Sequence, residues 1–257
     1  MSGDKRVAVI TGSAGGLGAA FAQKLAEDGM AIAVADIKDG AGTVEAILAA
    51  GGEAEYFPCD LANPASVEEL GKGVAERFGG ADVLVNNAGR YDNCSFDELT
   101  YDFWRQTMAL NLDGMFLACK TFAPGMRARG WGRIVNISSN STMLSPPMMA
   151  HYVASKSGVI GLARALASEF GPDGVTVNAI APGPVVTDQL RHAYARDFAG
   201  GDPSGFEEFM TAMAQNQAIK RYATPEDVTG LVSFLASDAA GMITGQTIVC
   251  DGGWARV

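Results

Sequence analysis

The chain is short of histidine, cysteine and positive charge. Its 257 residues hold two histidines, His151 and His192, and four cysteines, Cys59, Cys94, Cys119 and Cys250. The histidines stand far apart, with no Cys or carboxylate pattern around them, which argues against a transition-metal site. The cysteine spacings match no zinc or redox motif, so isolated thiols in a reducing compartment are expected rather than disulfides. Lys and Arg number 19 against 29 Asp and Glu, giving a net charge of −10. Such a surface repels a phosphate backbone, so nucleic acid is not an expected partner. No apolar run reaches membrane-spanning length, so no membrane is expected. The start, Met1-Ser2-Gly3-Asp4-Lys5-Arg6, is polar and leads directly into a strand. No secretory leader is therefore expected, and a cytoplasmic location is the default reading. The glycosylation-type triplets beginning at Asn93, Asn136 and Asn140 then read as chance matches.

No linker rich in Pro, Gly or Ser divides the chain, and no internal repeat is present. One domain spanning 1–257 is expected, and a hydrophobic content of 48% supplies a sizeable core. What the chain does have is rhythm. Apolar runs of mostly Val, Ile and Ala recur at 7–10, 31–35, 83–85, 134–137 and 175–180, without polar alternation. That is the pattern of parallel strands buried on both faces. Weaker strand candidates lie at 53–59 and 247–250. Helical patterns fall between them, at 19–28 (closed by Gly29), 64–78, 101–129, 152–170 and 225–236. Alternation of this kind predicts an α/β fold with a doubly wound parallel sheet and helices on both faces. The segment 184–222 breaks the rhythm. It contains Gly200-Gly201-Asp202-Pro203-Ser204-Gly205 and reads as an insertion of two helices around a turn.

Thr11-Gly12-Ser13-Ala14-Gly15-Gly16-Leu17-Gly18 falls between the first strand and the first helix. Glycines there permit a tight turn and close approach of backbone to a pyrophosphate. The helix N-terminus offers free N–H groups and a favourable dipole. Asp36 ends the second strand, where a carboxylate accepts from the hydroxyls of an adenine ribose and repels a 2′-phosphate. Position 15 is Gly and offers no basic side chain. Both features favour NAD over NADP, although Lys38 stands close by.

Tyr152 and Lys156 share one face of a helix in Tyr152-Val153-Ala154-Ser155-Lys156. A free phenol titrates near pH 10, and an adjacent ammonium favours its ionised form. Ser139, at the end of a strand, offers a hydroxyl to hold a substrate oxygen beside the tyrosine. The chain also carries Asn86-Asn87-Ala88-Gly89 after the fourth strand and Asn111 inside a long helix.

Taken together, these residues resemble the short-chain dehydrogenase/reductase (SDR) family in its classical branch, over nearly the whole chain. The resemblance implies a single-domain Rossmann fold. It assigns Asn111, Ser139, Tyr152 and Lys156 to a catalytic tetrad: Tyr152 as acid/base, Ser139 orienting substrate, Lys156 binding the nicotinamide ribose and lowering the tyrosine pKa, and Asn111 holding a relay water. It implies a cofactor site of Gly12, Gly15, Gly16, Leu17, Gly18, Asp36, Ile37, Asp60, Leu61, Asn87, Ala88, Gly89, Tyr152 and Lys156, with Asp60 at the adenine. Pro182, Gly183, Val185 and Thr187 match the stretch that packs on the nicotinamide, and Asp251-Gly252-Gly253 matches the closing strand. Homotetramers are the family's common state, with the helices of Asn111 and Tyr152 at one interface.

The segment 184–222 is expected to cover the substrate cleft as a lid. Phe206, Phe209, Met210 and Met213 form an apolar stripe, which serves either as an adaptable lid surface or as ordinary packing. Ser139, Asn140, Ser141, Met149, Tyr152, Pro184, Met210 and Met213 are the expected substrate residues. Thr142 stands where many family members have glycine. Arg191 and Arg196 are read as a solvated face. The resemblance is nearest to NAD-dependent dehydrogenases of hydrophobic or ring-bearing secondary alcohols. The alternatives are a 3-oxoacyl-carrier-protein reductase using NADPH and an NAD-sensing module without chemistry. The intact tetrad argues against the module. A hydrolase is excluded because no Gly-x-Ser-x-Gly elbow is present.

Overall fold

Seven strands form one sheet in the order β3-β2-β1-β4-β5-β6-β7, every neighbouring pair parallel. They are β1 (Val7–Thr11), β2 (Ala31–Asp36), β3 (Glu53–Pro58), β4 (Val83–Asn86), β5 (Gly132–Ile137), β6 (Val175–Pro182) and β7 (Thr247–Cys250). The computed structural model describes residues 5–256, so the first four residues of the polar start lie outside it. All the expected strands are present, including the two weaker ones.

The helices are α1 (Gly16–Glu27), α2 (Ala41–Ala49), α3 (Pro64–Phe78), α4 (Tyr101–Met108), α5 (Gly114–Arg129), α6 (Ser141–Leu144), α7 (Ala150–Phe170), α8 (Asp188–Phe198), α9 (Phe206–Ala214) and α10 (Glu226–Leu235). Successive strand residues feed opposite cores, as the two-residue period requires. Val7 and Val9 pack with Val67, Leu70, Val74, Phe122 and Ala163, from α3, α5 and α7. Ala8 and Ile10 pack with Phe21, Leu25, Ile47, Val232 and Leu235, from α1, α2 and α10. Strands β1, β5 and β6 are buried throughout, which is why their sequences carry no alternation.

Two local signals set element ends where they matter. Asn63 caps α3 by accepting from the Ala65 N–H, Pro64 occupies its first turn, and Gly79 closes it in the left-handed region. The expected helix over 101–129 is continuous but not uniform. A π-helical turn, Ala109–Asp113, separates α4 from α5 and carries the fully buried Asn111. Such turns are rare and concentrate at functional sites. Helix α2 lies beyond the expected elements. Its N-cap, Gly40, has no side chain, and Asp39 Oδ1 accepts from the Ala41 N–H at 2.9 Å instead, so the start signal stands one residue early and is followed by Ala41-Gly42.

The sheet order reverses direction between β1 and β4. In open α/β sheets ligands bind at such a switch point, beyond the carboxyl ends of the strands. The glycine loop, Asn87 and Ser139 all follow strand ends on that edge.

Candidate active site

A cleft of about 1280 Å³ runs along this edge. One end is lined by the glycine loop, Asp36, Ile37, Lys38, Asp60 and Leu61, and the other by Ser139, Ser141, Met149, Tyr152 and Pro184. Asn87, Ala88, Gly89, Lys156, Pro182, Gly183, Val185 and Thr187 also line it.

The glycine end is built by close packing. Gly12 has φ +66°, and a Cβ there would come 2.7 Å from the Ala88 Cα. A Cβ on Gly18 would strike the Gly12 carbonyl. Asn87 braces the loop by donating to the Thr11 and Gly12 carbonyls at 2.9 and 3.0 Å. The Thr11 hydroxyl accepts from the Asn87 and Ala88 N–H groups in return. Helix α1 begins after Gly15 with no side-chain cap and no acidic residue in its first turn. Its free N–H groups and dipole suit a pyrophosphate. Asp36 accepts from the Ala14 N–H through Oδ2 and from the Lys38 N–H through Oδ1, both at 2.9 Å. These bonds fix the carboxylate on the cleft wall and leave lone pairs for ribose hydroxyls. Asp60 Oδ1 accepts from the Ala62 N–H at 2.9 Å and so holds its own loop at the cleft. These residues fit a nicotinamide dinucleotide.

At the other end Lys156 is buried and donates to the Ile137 carbonyl at 2.7 Å. Its Nζ lies 5.9 Å from the Tyr152 ring centroid. Burial pushes the ammonium's pKa down to about 8. Burial also pushes the Tyr152 phenol up, opposed by a hydrogen bond with Ser139. The protein's groups alone thus keep Tyr152 protonated, the state needed to donate to a ketone. Ser139 Oγ donates to Ser141 Oγ at 2.9 Å, and Ser139 stands 7% exposed at the cleft.

Asn111 does not face the cleft directly. Its Oδ1 accepts from the Arg90 N–H at 2.9 Å and its Nδ2 donates to the Arg90 carbonyl at 3.0 Å. Nδ2 also reaches Ser155 Oγ at 3.1 Å. A Cβ on Gly89 would meet Asn111 Oδ1 at 3.2 Å and Lys156 Nζ at 3.3 Å, so Asn111 and Lys156 flank that glycine. Thr187 Oγ1 accepts from the Leu190 N–H and caps α8 while lining the cleft.

Three substrate expectations need correction. Asn140 is buried and donates to Asp251 Oδ2 at 3.1 Å, tying the loop after β5 to the end of the chain. Met210 is buried at 1% exposure and Met213 half-buried, and neither lines the cleft. Their helix is drawn onto α8 instead, where Tyr194 packs on Phe206 and Phe209 with ring centroids 5.7 and 4.9 Å apart. The α8 arginines do lie on a solvated face, as expected, and are paired there. Arg196 pairs with Asp92 and Asp197, and Arg191 pairs with Glu207 over the Phe206 ring.

Sequence reasoning missed Tyr91, Gln106, Gln189, Leu190 and His192, all on the cleft wall. Tyr91 carried a usable signal. It stands two residues beyond Gly89, just past the carboxyl end of a strand at the switch point.

Comparison with known proteins agrees with this geometry. A family model described as Enoyl-(Acyl carrier protein) reductase matches residues 12–255. The D-threitol dehydrogenase of Mycolicibacterium smegmatis is 38% identical, over 98% of this chain and 93% of its own. The 3-oxoacyl-(acyl-carrier-protein) reductase of Synechocystis is 38% identical, over 96% of each. A crystal structure of an actinorhodin polyketide ketoreductase with NADPH superposes with a TM-score of 0.92 at 34% identity, covering 99% of this chain and 98% of that one. The chain belongs to the short-chain dehydrogenase/reductase family. It is an oxidoreductase acting on CH–OH groups, and its family uses the nicotinamide cofactors NAD(P). Among the described residues no helix is long and apolar enough to cross a membrane.

Proposed function

We propose that the chain interconverts a secondary alcohol and a ketone with NAD, on a neutral, hydrophobic or ring-bearing substrate. The carrying observation is Asp36: its carboxylate is pinned on the wall of the cleft that ends at Tyr152. A 2′-phosphate at about 5 Å from that carboxylate would meet repulsion of about 3 kcal/mol per charge pair at an effective dielectric of 20. That is enough to set the preference for NAD.

The bound cofactor supplies or accepts the hydride. Everything else falls to the chain. Ser139 and Tyr152 hold the carbinol oxygen, and Tyr152 exchanges its proton with it. Lys156, with N–H groups beyond the one given to Ile137, would hold the nicotinamide ribose, and its charge would favour the phenolate during oxidation. Asn111 fixes the Arg90 backbone and Ser155 around this centre; the relay water expected of it belongs to the proposal alone.

A second reading is a 3-oxoacyl-carrier-protein reductase using NADPH. It is favoured by Lys38 beside Asp36 in the cleft and by the Synechocystis relative. One experiment separates the two. Secondary alcohols and ketones are screened with NAD(H) and NADP(H), following absorbance of the reduced cofactor, beside an acetoacetyl thioester. Turnover of the thioester with NADPH alone overturns the first reading. Tyr101 and Phe116, on the α4–α5 face, are 74% and 46% exposed, which supports a homotetramer built on these helices. Light scattering tests that state.

A further inference from the structure

Tyr91 is the largest side chain on the cleft wall that the tetrad does not account for. Its position is fixed from both sides. Immediately before it, both backbone polar groups of Arg90 are held by the buried Asn111. Immediately after it, the Asp92 carbonyl accepts from His151 Nε2 at 3.0 Å, and His151 is the helical neighbour of Tyr152. The Asp92 carboxylate is held by Arg90 and Arg196, each at 2.7 Å. Asn93 donates to Asp197 at 2.9 Å, and the Cys94 N–H donates to the Met148 carbonyl at 2.8 Å. This loop is therefore tied to the π turn, to α7, to α8 and to the loop between α6 and α7.

Held in this frame, the Tyr91 ring stands edge-to-face with Tyr152, centroids 6.4 Å apart and planes at 71°. Burial, and then the neighbouring Tyr152, push its phenol pKa up, while the Arg196 charge and, less, Thr187 pull it down. The ring stays neutral, next to the acid/base. The arginines nearby are already engaged, and Lys156 is the cation the proposed reaction assigns to the cofactor. Arg90 pairs with Asp92 and lies over Phe103, and Arg196 pairs with Asp92 and Asp197. Recognition beside Tyr152 thus falls to a flat, uncharged surface rather than to a cation.

We infer that Tyr91 is a specificity-determining residue, an aromatic wall selecting neutral secondary alcohols and ketones whose carbinol carbon bears a flat ring. This rests on the secondary-alcohol reading of the cleft. An aryl substituent beside Tyr91 gains edge or stacking contact that a short alkyl chain cannot. The substrate oxygen is thereby turned toward Ser139 and Tyr152.

The test avoids turnover. In a Tyr152→Phe background with NADH bound, acetophenone and 2-butanone are titrated by saturation-transfer NMR, with and without Tyr91→Ala and Tyr91→Phe. Tyr91→Ala is expected to weaken acetophenone about tenfold and 2-butanone less than twofold, with NADH affinity and melting temperature unchanged. Tyr91→Phe keeps the ring and is expected to keep the preference. Equal weakening of both ketones overturns the wall, as does a Tyr152→Phe protein that binds no acetophenone. If acetophenone binds through Tyr91 while the unaltered protein turns over no alcohol or ketone, the redox reading falls and the wall stands.

Discussion

Lys156 Nζ lies 2.7 Å from the Ile137 carbonyl oxygen, its one hydrogen-bond acceptor among the described residues. A buried ammonium with a single neutral partner is a destabilised group. Burial takes its pKa from 10.5 to about 8, which corresponds to about 3 kcal/mol. Under the proposed reaction, the unused N–H groups and the positive charge would serve the bound cofactor, which gives so costly a group a use.

Lys156→Met is therefore expected to abolish turnover without lowering stability at neutral pH. The folded chain releases the lysine proton near pH 8 and the unfolded chain near 10.5. Between these values the unfolded state binds more protons, so stability rises with pH across that window and the burden is complete below it. The variant's melting temperature should match or exceed that of the parent at pH 7, and the difference should shrink toward pH 10.5. Calorimetry across pH checks this. A loss of several degrees at pH 7 would mean that the ammonium stabilises the fold.

Tyr152→Phe removes the proton donor and leaves the ring. Activity is expected to fall by roughly 10³-fold, the usual size of a positioned acid/base contribution. Cofactor affinity should hold, since the ring and Lys156 remain. Stopped-flow absorbance and a fluorescence titration read the two effects separately. Comparable rates in both proteins would assign the proton to another group.

The centre of the sheet was legible because both faces of its strands are covered, leaving continuous Val, Ile and Ala runs, whereas the edge strands β3 and β7 are only partly buried and read more weakly. The cofactor end was legible for a similar reason. Gly12 and Gly18 stand where a Cβ would collide with backbone, so sequence and geometry state the same constraint. The π turn at Asn111 was not legible, since it differs from the flanking helix by hydrogen-bond register alone. The substrate end was only partly legible. Periodicity shows that Met210 lies on an apolar face, but not whether that face meets a ligand or Tyr194. Asn140 misled because its neighbour Ser139 faces the cleft while its own amide turns to Asp251, 111 residues away in sequence.

Met210→Ala tests the corrected role. The side chain is 1% exposed and lies away from the cleft. Truncation should leave a cavity costing roughly 2–5 kcal/mol. Relative kcat/KM across a panel of ketones should not change. Denaturant titration gives the first quantity and competition assays the second. A shifted substrate order with unchanged stability would return Met210 to the substrate wall.

The proposed NAD preference rests on Asp36, and two substitutions separate the tasks that reading gives it. Its oxygens accept from the Ala14 and Lys38 N–H groups while facing the cleft. Asp36→Ala removes the ribose acceptor, the loop anchor and the negative charge together. NAD affinity should fall roughly 10- to 100-fold, the size of a lost hydrogen bond to a charged group. Asp36→Asn keeps one carbonyl acceptor for the backbone and removes the charge. It should weaken NAD less while admitting NADP, because repulsion of the 2′-phosphate is gone and Lys38 remains beside it. Calorimetric titration of both cofactors against each variant measures the ratio. If that ratio does not move in Asp36→Asn, the carboxylate's charge does not set the preference, and the NADPH-dependent reading gains its strongest support.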